Sequence, residues 1–426
     1  MSDDLDIRYG GAIAVDTEVL RAVATRIAGV GSHLDRAEAA IRRAHEITVG
    51  APGFSAHVDT AALWASGVHA RDMRVRCDEA STGTLLMADA YELVELRAQA
   101  AAVALSDAAA AEALQLRIER LEASDERLAP MADMLVAGWE NGRFDGLDRQ
   151  FDLGGALSPL FLGGALVGAR LGVGTVLPGM TLRGTADPVT VRPVATSRPV
   201  GPPTNLAEAF RRFPAAPDAQ LKVERYTMPD GTSRYAAYIK GTQSFGYGGG
   251  DPWDMKSNKE LYIGETSASY QATLDALAAA GAEPGDRVDV YAHSQAGMVA
   301  AHLAMGSEFD VQVQVTAGSP VEPTLRDDQL LIQLRHTDDV VSSLAGGGSP
   351  GGTGSPDSFI AERVGDSRSG VQDVWLATHW LDPYIETAEM VDSSGDVRLE
   401  GIRDSWRELG KAEAIEATEY RAERSG

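Results

Sequence analysis

The sequence predicts an α/β fold in two parts: a mostly parallel sheet with flanking helices in the C-terminal half, preceded by an all-α helical bundle. Three observations predict it. Residues 16–47 and the Ala-, Leu-, Glu- and Arg-rich stretches 59–104 and 106–141 carry helical periodicity with few breakers. The segment 183–203, RGTADPVTVRPVATSRPVGPP, holds five prolines and marks the sharpest change of composition in the chain. From Thr204 onward, short strand-like runs alternate with helix-like runs across short connections, the pattern of a parallel sheet.

Taken in order, residues 1–145 read as a helical bundle. Leu20, Ile27, Leu34 and Ile41 recur every seven residues, with Val23, Val30, Ala37 and Ala44 as a companion row. That is a seam for packing against another helix, within the chain, in a helical partner protein or by self-association through residues 16–47. Asp16 or Thr17 supplies the N-cap. Residues 146–182 form a glycine-rich apolar connector. Its stretch 153–169 runs 17 residues without a charge. A membrane helix needs about 20 such residues, and Pro159 and Arg170 interrupt the run, so a buried connector is expected over membrane contact by 153–180. Residues 183–203 read as an extended linker.

Residues 204–426 read as one α/β domain. LKVERYTM (221–228) and SRYAAYIKG (233–241) are strands joined by a PDGT turn. ASYQATLDALAAAG (268–281) is a helix ending at glycine, RVDVYAH (287–293) a strand, and 295–305 a helix. VQVQVTAGSP (311–320) and LLIQLRHTDD (330–339) are two further strands.

Composition sets limits. The net charge of −24 argues against nucleic acid, which is bound through clustered Lys and Arg, and against an anionic membrane surface. The acidity is not confined to one half: residues 1–200 carry 27 acids against 19 bases, and 201–426 carry 35 against 19. One cysteine, Cys77, excludes an internal disulfide and a multi-cysteine metal site. The start MSDDLDIRYGG lacks the basic and apolar regions of a secretory signal, so a cytoplasmic protein or one exported by another route is expected.

The chemistry concentrates in VYAHSQAGMVAAHLA (290–304), where polar residues sit between a strand and a helix. Strand, sharp turn with serine, then helix is a nucleophile elbow, which needs small residues two before and two after the serine. Here these are Ala292 and Ala296, with Gly297 just beyond, so Ser294 is the candidate nucleophile. A serine needs a base, and the base an acid to orient it. Downstream lie His302, in the helix of the elbow itself, His336, within a strand and ahead of the acids, and His379, in the loop LATHWLDPY. His379 is the candidate base. The acid is Asp339, with Asp338 the alternative and Asp373 next, since the carboxyl ends of parallel strands carry functional groups. The spacings, 45 residues from Ser294 to Asp339 and 40 from Asp339 to His379, leave little room for a cap domain. The glycine-rich loops 246–255 and 345–358 are candidate lids.

These residues resemble the α/β-hydrolase superfamily over 221–390, and within it lipases and esterases of the fungal-lipase-like kind. AHSQAG matches the elbow, IKGTQSF (239–245) the strand end that forms half of the oxyanion hole, and DDVVSSL the acid turn, with Ser342 where proline is usual. The resemblance implies that Asp339 is the acid and that the Thr242 and Gln295 backbone amides receive the oxyanion. It implies hydrolysis of carboxylic esters, small or lipidic, with no metal and no cofactor. The helical half is loosely similar to proteins exported by type VII secretion, through ALWASGV near Trp64 and the Y-x-x-x-E pattern of Tyr91 to Glu95. The competing expectations are a hydrolase-like interaction protein without activity, and a type VII secreted lipase-like effector.

Overall fold

The computed structural model describes residues 5–8, 17–51, 53, 57–104, 108–142, 175–176, 180–346, 354–366 and 376–425. The chain divides into two compact units, one of residues 15–96 and 116–135, the other of residues 1–14, 97–115 and 136–426. The second unit therefore begins before the helices rather than after them.

The smaller unit is built on α1 (Thr17–Gly50) and the long α2 (Thr60–Val103), with parts of α3 (Ala108–Glu122) and α4 (Leu128–Gly142). Arg21 bonds Asp89 and Glu92 at 2.7 and 2.6 Å, the Ser81 hydroxyl donates to the Ala24 carbonyl at 2.9 Å, and Arg71 bonds Glu38. Partners on α2 fall in number as those on α1 rise, so the two helices run antiparallel. The row Leu20, Ile27, Leu34, Ile41 is half-buried in this seam. Its companion is not the expected Val23, Val30, Ala37, Ala44, which is exposed, but Ala24, Gly31 and Glu38, all buried, one position on. The reason is local. A Cβ at Gly31 would already lie 3.2 Å from Asp78, so the helices approach closely there, and Glu38 is drawn in by Arg71.

The larger unit is a nine-stranded sheet. Its strands are β1 (Asp6–Arg8), β3 (Val189–Ser197), β4 (Leu221–Thr227), β5 (Ser233–Ile239), β6 (Arg287–His293), β7 (Asp310–Ala317), β9 (Leu330–His336), β10 (Phe359–Arg363) and β11 (Ala414–Arg424), in the order β1-β10-β9-β7-β6-β5-β4-β11-β3. A separate pair joins β2 (Thr175–Val176) to β8 (Glu322–Pro323). The central run from β10 to β5 is parallel; the β1–β10, β5–β4, β4–β11 and β11–β3 pairings are antiparallel. The sheet is thus mixed, not mostly parallel as expected. The PDGT hairpin turns the chain back at β4, and β11 returns alongside it.

Two boundaries change with it. The proline-rich stretch is not a free linker, because Val189–Ser197 forms an edge strand on β11. Pro193 is tolerated there because β3 is an edge and the register slips at Glu419/Tyr420, opposite the proline. Residues 6–8, expected within the helical bundle, form the other edge. A fragment starting at 204 would lack both edges. The apolar stretch 153–169 lies outside the described residues; among those described, no helix is long and apolar enough to cross a membrane.

Side chains alternate across the sheet, so each strand feeds two cores. Val288, Val290 and Ala292 of β6 pack with α7 (Ala268–Ala279) and α8 (Ala296–Gly306). Tyr291, Val313, Val315 and Leu334 pack on the other face with α5 (Leu206–Arg211), α9 (Leu381–Ser393) and α10 (Leu399–Leu409). A further helix, α6 (Met255–Tyr262), follows the 246–254 loop.

Candidate active site

β6 ends at His293, α8 begins at Ala296, and the chain reverses between them at Ser294. Ser294 has φ +56°, left-handed backbone that costs a non-glycine residue on the order of 1–3 kcal/mol. Packing enforces the turn from both sides. A Cβ at Gly241 would fall 2.6 Å from the Ser294 Cβ, and one at Gly297 would fall 2.6 Å from the Ser319 Cβ. The close approach that small residues permit is therefore met by Gly297, three after the serine, and by Gly241, two residues past the end of the neighbouring strand β5. Ala292 and Ala296 are fully buried.

The structure brings Ser294, His379 and Asp339 together. Ser294 Oγ is 2.7 Å from His379 Nε2, and His379 Nδ1 is 2.7 Å from Asp339 Oδ2. His379 sits in the short 3-10 turn Ala377–His379, started by Leu376 in a left-handed conformation (φ +54°). Asp339 is fully buried. Burial alone would raise its carboxyl, but His379 and the donors around it hold it below the usual carboxylate range. Those donors are Tyr384 Oη at 2.7 Å on Oδ2 and the Val341 amide at 2.8 Å on Oδ1.

Asp338, the alternative acid, points elsewhere. It is buried rather than solvated, and accepts the Gly365 and Asp366 amides at 2.7 and 2.9 Å. Burial pushes it up to about 6. Asp373 lies outside the described residues.

Three residues that sequence reasoning passed over shape the site. Tyr384 lies on α9, five residues after His379; it donates to Asp339, takes the His336 amide at 3.2 Å, and stacks on the His336 ring at 3.9 Å. His336 Nδ1 in turn donates to the Thr378 carbonyl at 2.7 Å, beside His379. His293 stacks on His379 at 5.2 Å, and its Nε2 donates to the His379 carbonyl at 2.8 Å. Burial drives His293 down to about 3 and His336 down to about 4, so both are neutral at pH 7. The sequence signal for His293 was its place beside the serine; Tyr384 carried none.

Thr242 follows β5 and Gln295 follows the serine, at the carboxyl ends of adjacent strands. Among the described residues, neither backbone amide has a hydrogen-bond partner. Their side chains are tied down: Asn258 Nδ2 donates to Thr242 Oγ1 at 2.9 Å, and Gln295 Nε2 to the Asp254 carbonyl at 3.0 Å. The first candidate lid is anchored at its far end, where Trp253 and Asp254 are fully buried, while Tyr247 near its start stands 64% exposed. Residues 347–353 of the second lie outside the described residues. Among the described residues no cluster of His, Cys, Asp and Glu is arranged to hold a metal ion.

The chain matches no family model, no curated protein and no solved structure with which it was compared.

Proposed function

We propose that the larger unit is a serine hydrolase that cleaves carboxylic esters through an acyl-enzyme. The observation that carries this reading is the hydrogen-bonded relay Ser294–His379–Asp339, hung on a serine in left-handed backbone at a strand-to-helix turn. A hydroxyl merely buried in a core needs neither that strain nor a base with its own acid.

In this mechanism His379 Nε2 removes the Ser294 proton as Oγ attacks the ester carbonyl. Asp339 holds the proton on Nδ1 and stabilises the imidazolium. The carbonyl oxygen becomes an oxyanion, which the Thr242 and Gln295 amides are free to receive, each donor contributing about 3–4 kcal/mol. His379 then protonates the leaving alkoxide, and the acyl group stays on Ser294 Oγ. Water, deprotonated by His379, repeats the attack, releasing the acid and restoring the serine.

The test pairs a fluorophosphonate probe with p-nitrophenyl ester hydrolysis. Wild type should label at Ser294 and turn over ester; Ser294→Ala should do neither, with turnover lost by about 10⁴–10⁶. An unlabelled wild type, or a Ser294→Ala variant that keeps most of its activity, would overturn the reading in favour of a hydrolase-like interaction protein.

A further inference from the structure

Arg424 lies far in sequence from Ser294, yet its guanidinium is largely buried, with Nε 3.0 Å from Asp187 Oδ2 and both Nη atoms turned onto Asp254. Nη2 donates to Asp254 Oδ1 at 2.8 Å and Nη1 to Asp254 Oδ2 at 2.9 Å, a forked pair. Nη1 also reaches the Gly249 and Asp251 carbonyls at 2.7 and 2.8 Å, and the Arg424 amide donates to the Gly250 carbonyl at 2.8 Å. One residue of β11 thus gathers the whole 248–254 loop. From Asp254 the bonds run on to the site. Its carboxylate takes the Gly248 amide at 2.6 Å and caps α6 through the Ser257 amide at 3.1 Å. Its carbonyl holds the Gln295 side chain, the preceding carbonyl of Trp253 takes the Gln243 and Ser244 amides at 2.8 and 3.1 Å, and Asn258 on the capped helix holds Thr242 Oγ1.

Thr242 and Gln295 follow the ends of different strands, and among the described residues no hydrogen bond between them sets their spacing. Both are tied instead to the Trp253–Asp254 corner. We infer that Arg424 and Asp254 are a positioning pair for the oxyanion hole, fixing the Thr242 and Gln295 amides relative to Ser294; the inference rests on the ester-hydrolase reading. The pair touches no substrate. It acts by holding the corner from which both amides are hung, so its removal loosens the transition state more than the ground state.

The decisive variant is Arg424→Gln, read against Arg424→Lys and Asn258→Ala. Rates of p-nitrophenyl butyrate hydrolysis are normalised to the sites titrated by a fluorophosphonate, so unfolded protein does not count. Arg424→Gln should lower kcat by about 10²-fold, the cost of a displacement of about 1 Å at the reacting centre, while KM stays within about threefold. Arg424→Lys, a point charge that cannot fork across both oxygens, should recover part of the loss. Asn258→Ala, which frees only the Thr242 tether, should lower kcat by less, about threefold to tenfold, and keeps the test open if Arg424→Gln does not fold. Affinity for a trifluoromethyl ketone, which forms the tetrahedral adduct, should fall in step with kcat/KM. Wild-type kcat per titrated site in the folded variants, or a rise in KM alone, would overturn the positioning role and leave the hydrolase reading standing. Failure of wild type to label at Ser294 would instead overturn that reading itself.

Discussion

Replacing Gly241 with alanine should damage turnover far more than folding. The new Cβ would lie 2.6 Å from the Ser294 Cβ, 3.0 Å from His293 Nδ1 and 3.1 Å from the His293 carbonyl. Carbon atoms in contact sit about 3.5–4.0 Å apart, so roughly 1 Å of displacement has to be found. Two of the three neighbours belong to the elbow backbone or the stacked His293, which is fully committed by its bond to His379, so Ser294 is the side chain that gives. A shift of that size pulls Oγ out of its 2.7 Å bond to His379. Such misplacement costs about 10²-fold in rate, near 2.7 kcal/mol of barrier. The strain on the fold is that of an overpacked core, about 1–3 kcal/mol. Gly231 is the control: it has φ +82° but open space where a Cβ would go, so alanine there costs stability of about 1 kcal/mol and no activity. The assay is ester hydrolysis per phosphonate-titrated site, alongside thermal unfolding of both variants. Turnover of Gly241→Ala within threefold of wild type would refute the reasoning.

Asp339→Asn should lose about 10⁴-fold in turnover by holding the wrong imidazole tautomer, whereas Asp338→Asn, whose carboxylate accepts the Gly365 and Asp366 amides, should keep its kcat and lose stability from those two bonds; the reverse pattern in kcat would move the acid to Asp338. Tyr384→Phe removes one of three donors to Asp339 and should lower kcat about tenfold with the protein folded; an unchanged kcat would show that Oδ2 does not need the second donor. Glu322 is buried and pushed up to about 7, mainly by burial, against an ordinary value near 4.5. Its folded form holds a proton that its unfolded form has lost, so it withdraws stability as pH rises from about 4.5 to 7. Glu322→Gln should therefore match wild type at pH 4 and exceed it at pH 8, by up to the order of 3 kcal/mol in chemical unfolding, and a constant difference across that range would refute it.

Much of the site was legible because its signals are local. His-Ser-Gln at the end of an apolar run and before an alanine-rich helix can be read from fifteen residues, and the requirement for a base and an acid downstream then narrows the candidates to His379 and the 338/339 pair. The choice between the two aspartates needed the backbone: Asp339 turns toward His379 while Asp338 turns toward Gly365 and Asp366, amides whose position no spacing predicts. Tyr384 escaped for the same reason, since a tyrosine on a helix face has a structural use far more often than a role beside a carboxylate. The fold was less legible at its edges. Five prolines conceal the β3 strand because an edge tolerates a missing amide, and Asp6–Arg8 is too short to show alternation. In α1 the true seam includes Gly31 and Glu38, a spacer and an ion-pair partner, so an apolar row one position earlier looked like the better stripe.

The pairing of β1 with β10 has a consequence in time. Asp6 lies opposite Glu362, so the strand waits for a partner made 356 residues later. At ribosomal speeds that interval is roughly 20–70 s. In an unfolded chain, closing so long a loop costs roughly 5 kcal/mol, which three residues of ladder at about 1 kcal/mol per hydrogen bond do not repay. The strand can dock only once the intervening chain has folded and shortened the path. Until Asp6–Arg8 arrives, the open side of Phe359–Arg363, a strand buried along its whole length, is a surface a chaperone would have to guard.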